Sequence, residues 1–341
     1  MEYTDIIHLF LKDFSTYWNQ MLSDINSNQI QLAQGNRLRP QNCLWGFLST
    51  FEDKKNIKES DISEIAYISV SIEMIHKSSL LIDDWIDGDS VRHGSIAFHV
   101  EYSPQEAVLM ALNMIGYAMI RLQNSFRSNN FILPQHYFMY FDSLLNTIYG
   151  MAKGALQELQ LKGNDFFDEE KIKNIIQLET SEILANCMLL GYYAGLGERE
   201  IIPEIESGFK KIGDYCGFLF QVMNDMEAYN SPDKLFKHKG NLNLDVLKHR
   251  KNYGVAILYN IANKKDKTII EQAKTEDILF SLFEKYHIKD IISLQIQRTY
   301  TQIKEEVKNM TNYGVSNEWC YGYSQFLDYI KKFGEDRLQL T

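Results

Sequence analysis

Leu80-Leu81-Ile82-Asp83-Asp84-Trp85-Ile86-Asp87-Gly88-Asp89-Ser90-Val91-Arg92-His93-Gly94 sets an Asp-Asp-x-x-Asp cluster at the end of an apolar run. Upstream, Ile62, Ile65, Ile68, Ile72 and Ile75 recur three and four residues apart, and no Gly or Pro intervenes before Gly88. That spacing predicts a helix over 61–86. Asp83 and Asp87 then stand one above the other on one helix face. Like charges held there repel unless a cation lies between them. Oxygen donors suit a hard ion, Mg2+ above all, which keeps several waters and is completed by substrate phosphates. A bare cluster of this kind is equally at home on a solvated acidic helix end, so the flanking residues decide.

Arg92 and His93 follow within two turns, and an arginine there can take a phosphate bidentately while a metal neutralises the remaining charge. Far upstream, Gly35-Asn36-Arg37-Leu38-Arg39-Pro40 puts two more guanidiniums on a short turn, with Pro40 placed to start a helix. Far downstream, Ile205, Phe209, Ile212, Cys216, Leu219 and Met223 step by four and three into Phe220-Gln221-Val222-Met223-Asn224-Asp225-Met226-Glu227, a second oxygen-rich helix end. Two acidic helix ends facing each other across a bundle, with arginines beside them, form a diphosphate and metal site.

Composition narrows the remaining possibilities. The 341 residues contain only five Pro and no Gly/Ser-rich linker, which predicts one domain over 1–341. Helices are expected over 3–26, 41–51, 61–86, 104–126, 135–162, 168–195, 204–229, 244–262 and 288–338, the last broken near Gly314. The formal charge of -10, with no Lys/Arg stripe to offset it, argues against a nucleic-acid partner. Cys43, Cys187, Cys216 and Cys320 are widely spaced and form no CxxC pair, so a reducing cytoplasm is the expected home. The first residues lack the basic start of a signal peptide, and no apolar run is expected to span a bilayer.

Taken in order and spacing, these pieces resemble the trans-isoprenyl diphosphate synthases of the polyprenyl synthetase family. The residues that carry the resemblance are the Gly-x-Arg-x-Arg-Pro turn, Glu73 to His76, Asp83 to Gly94, Gly150 to Leu159, and Phe220-Gln221 before the second cluster. The resemblance implies an all-α isoprenoid synthase-type bundle of long antiparallel helices around a central cavity, and a homodimer. It implies Mg2+, three ions with the bound diphosphate, held by Asp83, Asp87 and Asn224. Asp84 and Arg92 join these three as catalytic candidates, while Asp225 and Glu227 are expected to stand behind the ligands. Arg39, His76, Arg92, His93, Thr180, Phe220, Gln221, Lys239, Arg250 and Lys251 become candidates for substrate binding. The chemistry implied is ionisation of an allylic prenyl diphosphate, farnesyl or geranylgeranyl, to a carbocation in a dry cavity. Aromatic residues, 13% of the chain, supply many candidate rings for that cavity, most of them expected to be ordinary core.

Departures from the family pattern shape the expected reaction. Asn224 stands where an Asp is usual, and Ala228 occupies the fifth position of the second cluster. The turn reads Asn36 where the family has a lysine for isopentenyl diphosphate, His93 stands for the second arginine of an Arg-Arg-Gly, and a Lys-Thr pair reads Glu179-Thr180. Losing a charged hydrogen bond removes about 1.5–3 kcal/mol. The expectation is therefore prenyl transfer to an acceptor other than isopentenyl diphosphate. The alternatives are a terpene cyclase, a chain-elongating synthase and a non-catalytic partner subunit. A strict cyclase motif is not met, since its Ser and Glu positions read Ala228 and Pro232. Ser78 and Ser79, small residues before the first Asp, predict an open cavity floor unless Met74 or Ile75 blocks it.

Overall fold

In the computed structural model, residues 1–25, 32, 35–128, 134–230 and 250–338 are described. The long helices are α1 (Tyr3–Asp24), α2 (Leu38–Leu48), α3 (Glu59–Asp87), then, after a short turn of helix α4 (Phe98–Glu101), α5 (Pro104–Ser128) and α6 (Pro134–Leu159). After them come α7 (Glu169–Ile176), a π-helical turn over Gln177–Ser181, α8 (Glu182–Gly195) and α9 (Pro203–Asn230). The rest is α10 (Tyr253–Ile261), α11 (Lys264–Glu271), α12 (Glu276–Lys285), α13 (Ile288–Asn309) and α14 (Asn317–Leu338). The all-α reading holds. The helix drawn over 244–262 starts only at Tyr253, because Asn252 caps it by accepting from the Val255 N–H at 3.0 Å; its first residues, 244–249, lie outside the described residues. Between Ile261 and Ile288 the two short helices α11 and α12 were not foreseen. Nor was the hairpin Val91–Arg92 with Ser95–Ile96.

Apolar residues on every side make α8 the buried centre of the bundle, with Ile183, Leu184, Cys187, Met188, Leu189 and Leu190 all inside. It crosses α2 with the backbones touching. A Cβ at Gly46 would overlap the Met188 carbonyl, and one at Gly191 the Cys43 carbonyl, so only glycine permits the approach. The Trp319 indole of α14 closes that layer by donating to the Trp45 carbonyl at 2.7 Å. Buried residues from Ile6 to Leu327 form one apolar cluster.

Helix α3 is long and apolar enough to cross a membrane by length and composition, but 72% of that window is buried inside the protein, as suits a core helix. It ends as the sequence requires. Gly88 adopts the left-handed conformation (φ 66°), its N–H bonds the Trp85 carbonyl at 3.2 Å, and the Asp89 N–H reaches the Asp84 carbonyl at 2.9 Å. All four cysteines are unpaired thiols.

Candidate active site

A cavity of about 670 Å³ opens between the C-terminal half of α3, α6, the π-helical turn, the end of α9, the 35–39 turn and residues 250–252. Asp83, Asp87, Arg92, Asn224, Arg39, His76, His93, Thr180, Phe220, Gln221, Arg250 and Lys251 all line it. Lys239 lies outside the described residues. Asp84 is not part of the wall: it is buried, and its Oδ1 accepts from Arg92 Nε at 2.6 Å and from Arg92 Nη2. It therefore aims Arg92 into the cavity rather than meeting a ligand itself. Arg92 is on the hairpin, not on the helix, and the two-residue loop His93-Gly94 has both φ angles positive (51° and 78°).

One end of the cavity is rich in carboxylates. Arg250 Nη2 lies 2.7 Å from Asp87 Oδ1 and 3.9 Å from Asp83 Oδ1, while its Nε meets Glu158 at 3.1 Å. Lys251 Nζ is held between Glu158 Oε2 (2.6 Å) and Glu179 Oε2 (2.5 Å). Burial pushes Glu179 up to about 7, with Lys251 pulling against it and the Glu158 charge adding to it. Glu158 is buried too, yet Lys251 and Arg250 beside it hold its carboxyl below the ordinary range. Glu179 arrives on the π-helical turn, and a Cβ at Gly154 of α6 would crowd its side chain, so the small residue admits it.

A polar chain fixes the 250–253 segment in place. Thr180 Oγ1 donates to Gln221 Oε1 at 3.2 Å, and the Gln221 amide donates to Asp225 Oδ1 at 2.7 Å. Asp225 Oδ2 in turn accepts the Tyr253 N–H at 2.7 Å, and its carbonyl accepts from Asn252 at 3.0 Å. Asp225 thus behaves as a support behind the wall, and Glu227, 6% exposed, reaches the cavity as well.

The other end is cationic. Arg37 pairs with Glu73 at 2.7 Å, and Arg39 Nη1 donates to His76 Nε2 at 2.8 Å. Burial drives His76 well below the usual imidazole value, and the charges of Arg39, Lys77, Arg92 and Arg37 push the same way, so the ring is neutral. Helix α2 begins at Leu38, earlier than Pro40, with Arg37 left-handed before it (φ 53°). Arg37, Glu73, Lys77 and Glu158 also line the cavity, although sequence reasoning passed over them as site residues. A buried charge on an otherwise apolar helix face was the signal for Lys77 and Glu73.

Between the two ends the wall is aliphatic, with Ile115, Ile148, Met151, Ala152, Ala155 and Leu184. Among the described residues, Phe220 is the one aromatic side chain that lines it. Ser78 and Ser79 both line it, their hydroxyls donating to the Ile75 and His76 carbonyls at 2.7 and 2.8 Å, while Met74 and Ile75 stay out of it.

The donor set Asp83, Asp87 and Asn224 offers oxygens only. It suits Mg2+, which takes few protein ligands and completes its shell with water and phosphate. Among the described residues, no group of three His, Cys, Asp or Glu side chains could hold an ion by itself.

Fold and cavity together define an all-α class I isoprenoid synthase bundle. The polyprenyl synthetase pattern matches residues 19–279, and the chain belongs to that family. Among curated relatives, a mitochondrial geranylgeranyl pyrophosphate synthase of Arabidopsis thaliana is 24% identical over 61% of this chain and 58% of its own length. The heptaprenyl diphosphate synthase component 2 of Bacillus subtilis is 25% identical over 83% of this chain and 75% of its own. The chain thus spans little more than half of the Arabidopsis relative. In fold, a geranylgeranyl pyrophosphate synthetase from Pyrococcus horikoshii superposes with a TM-score of 0.75 at 19% identity, over 96% of this chain and 98% of that one. A geranylgeranyl pyrophosphate synthase from Corynebacterium glutamicum, complexed with isoprenyl diphosphate and magnesium, gives 0.74 at 14% identity, over 96% and 98%.

Proposed function

We propose that this protein is a Mg2+-dependent prenyltransferase that binds an allylic prenyl diphosphate, of farnesyl or geranylgeranyl length, with its diphosphate at the carboxylate end and its tail along the aliphatic wall. The observation that carries this reading is that Asp83, Asp87, Asn224 and Arg92 all line one cavity whose wall is otherwise largely aliphatic. Bound Mg2+ would neutralise charge developing on the leaving diphosphate, and three ions are expected from the family. Arg92, fixed by Asp84, donates to the same oxygens as the C–O bond breaks. Asp83 and Asp87 would hold the metal, and Arg250, which pairs with both in this structure, would supply a guanidinium to the diphosphate beside it. The aliphatic wall keeps water from the allylic cation, and Phe220 presents a ring to it.

Two acceptor classes follow from different observations. The names of the relatives favour a prenyl diphosphate product, and so growth of the chain on isopentenyl diphosphate. Asn36 and Glu179 favour an acceptor of another kind. A homodimer belongs to the same proposal: Leu109, Leu112 and Ile120 of α5 and Leu145 and Tyr149 of α6 are all more than half exposed.

The test is incubation with Mg2+ and farnesyl diphosphate, reading released diphosphate and organic product. Wild-type protein should turn over, and Asp83→Ala or Asp87→Ala should lower the rate by about 10²–10³. Wild-type protein that releases no diphosphate, with or without isopentenyl diphosphate, would sink the proposal in favour of a partner subunit.

A further inference from the structure

Glu179 stands where the carboxylate end of the cavity meets its aliphatic wall. It arrives on the π-helical turn and lines the cavity, and Leu184, just past it on α8, already belongs to the wall. On α6 the same boundary runs between Ala155, on the wall, and Glu158, three residues later. A Cβ at Gly154 would lie 2.5 Å from Glu179 Cγ, so the stem of the side chain passes over that boundary. Glu158 and Glu179 share Lys251 but are not equally engaged. Glu158 is saturated: its Oε1 accepts the Lys251 N–H at 2.9 Å and meets Arg250 Nε at 3.1 Å, while its Oε2 accepts from Lys251 Nζ at 2.6 Å. Its side chain is 1% exposed. Glu179 has one oxygen engaged, Oε2, 2.5 Å from Lys251 Nζ, and its side chain is 17% exposed. Among the described residues no hydrogen bond reaches Glu179 Oε1, and that oxygen is not sealed from the cavity.

A second carboxylate is more than Lys251 needs, because Glu158 already accepts from its Nζ and its N–H. With diphosphate at the carboxylate end and the tail along the wall, C1 of the prenyl group lies at the boundary that Glu179 occupies. We propose that Glu179 is the general base of the transfer and that the acceptor is a hydroxyl compound, whose proton passes to Glu179 as its oxygen attacks C1. The inference rests on the prenyltransferase reading and decides between its two acceptor classes. Lys251 fixes Oε2, which leaves Oε1 as the atom presented to the acceptor. A carboxylate orients an O–H so that a lone pair faces C1, whereas an alkene carries no donor for it to hold. The C1–O bond breaks with its electron pair going to diphosphate. A lone pair of the hydroxyl forms the new bond to C1, and the proton moves to Glu179 and then to solvent, with no net oxidation or reduction. Proton removal makes the capture final: an oxygen that keeps its proton is expelled again, and the cation recombines with diphosphate. Burial raises the Glu179 carboxyl to about 7 against the pull of Lys251, with the charges of Glu158 and Asp83 adding to the rise. That is the range in which a base takes up and releases a proton near neutrality.

The test separates proton removal from ionisation by offering a nucleophile with no proton to lose. Wild type, Glu179→Gln and Glu179→Ala are incubated with Mg2+ and farnesyl diphosphate, in buffer with sodium azide. Farnesol, farnesyl azide and released diphosphate are measured against a blank without protein. Water is the probe hydroxyl, and azide is the probe that needs no base. The ratio of farnesyl azide to farnesol should rise about 10²–10⁴-fold in both variants, the usual contribution of a general base. A ratio equal to that of the wild type overturns the proposal whatever the overall rates, because loss of fold or of ionisation lowers both products alike. Should Glu179→Ala not fold, Glu179→Gln, which keeps an oxygen for Lys251, gives the ratio. A folded Glu179→Gln that makes neither product overturns the assignment too, since Glu179 would then serve ionisation. Chain extension by the wild type on isopentenyl diphosphate that outruns farnesol formation overturns the acceptor class. Wild-type protein that releases no diphosphate in any arm refutes the prenyltransferase reading and the base with it, a result distinct from an unchanged ratio.

Discussion

The two ends of the cavity are built from the same long helix, and their charge balances are opposite. At the far end of α3, the four carboxylates Asp83, Asp87, Glu158 and Glu179 outnumber Arg92, Arg250 and Lys251, the cations paired with them among the described residues. Some ten residues earlier, Arg37, Arg39 and Lys77 outnumber the carboxylate Glu73 among the described residues. An end with surplus carboxylate is completed by a divalent cation, and one with surplus cation by a phosphate. Glu179 replaces a lysine of the family pattern, and Lys251 Nζ stands 2.5 Å from its carboxylate; Asn36 replaces another, and Lys77 Nζ lies 3.3 Å from where a Cβ on the preceding Gly35 would be.

The strongest way to break the contrast is to remove the lysine of the negative end. Lys251→Met strands Glu158 and Glu179 without their shared partner, and breaking a buried ion pair from one side costs about 3–5 kcal/mol. Thermal unfolding should register it as a fall in Tm of about 10 °C or more. If Lys251→Met melts like the wild type, the buried pairing of Lys251 with the two glutamates is refuted.

A smaller effect is expected from Asp225→Ala. Its carboxylate accepts from Gln221 and the Tyr253 N–H, so removal leaves buried donors unanswered, at about 1–3 kcal/mol. Asp225→Ala should also loosen the 250–253 segment, seen as faster amide exchange at Tyr253 and Val255. Unchanged exchange there would mean that Asp225 does not hold the segment. The same variant tests whether Asp225 stands behind the ligands or among them: a support leaves Mg2+ affinity largely intact.

The mildest effect concerns pH at the positive end. With Lys77 held down to about 8, the folded protein loses this proton earlier than the unfolded chain does, whose lysines titrate near 10.4. Between those values the unfolded state binds more protons, so stability rises with pH across that window. The burden is full below about pH 8 and lifts as pH climbs. Wild-type Tm measured from pH 8 to 10 should therefore gain on that of Lys77→Met, by about 2–4 °C for each kcal/mol relieved. Equal slopes for the two proteins would show that the ammonium is not strained by burial.

Much of the fold was legible because the helical period writes itself into the isoleucines of α3 and the mixed steps of α9. The short α11 and α12 escaped because each is too brief for periodicity to rise above noise. The hairpin at Val91 escaped because two-residue strands carry no alternation. Within the site, the shared face of Asp83 and Asp87 could be read from spacing and Asn224 only from the family resemblance, whereas Asp84 and Arg250 could not be given their settings. Asp84 differs from Asp83 by a single step of the helix, and that step carries it from the cavity wall to the buried side, against Arg92.

The sequence by itself determined that α3 and α9 are helices, that α3 presents Asp83 and Asp87 on one face, and that the chain resembles a diphosphate-binding family, since these follow from local periodicity and residue order. Only the tertiary structure decided which charges answer which: Arg92 on Asp84, Lys251 between Glu158 and Glu179, Arg250 on Asp87. The physical reason is that electrostatic pairing depends on distance through space, and helix packing brings together residues that spacing along the chain holds far apart.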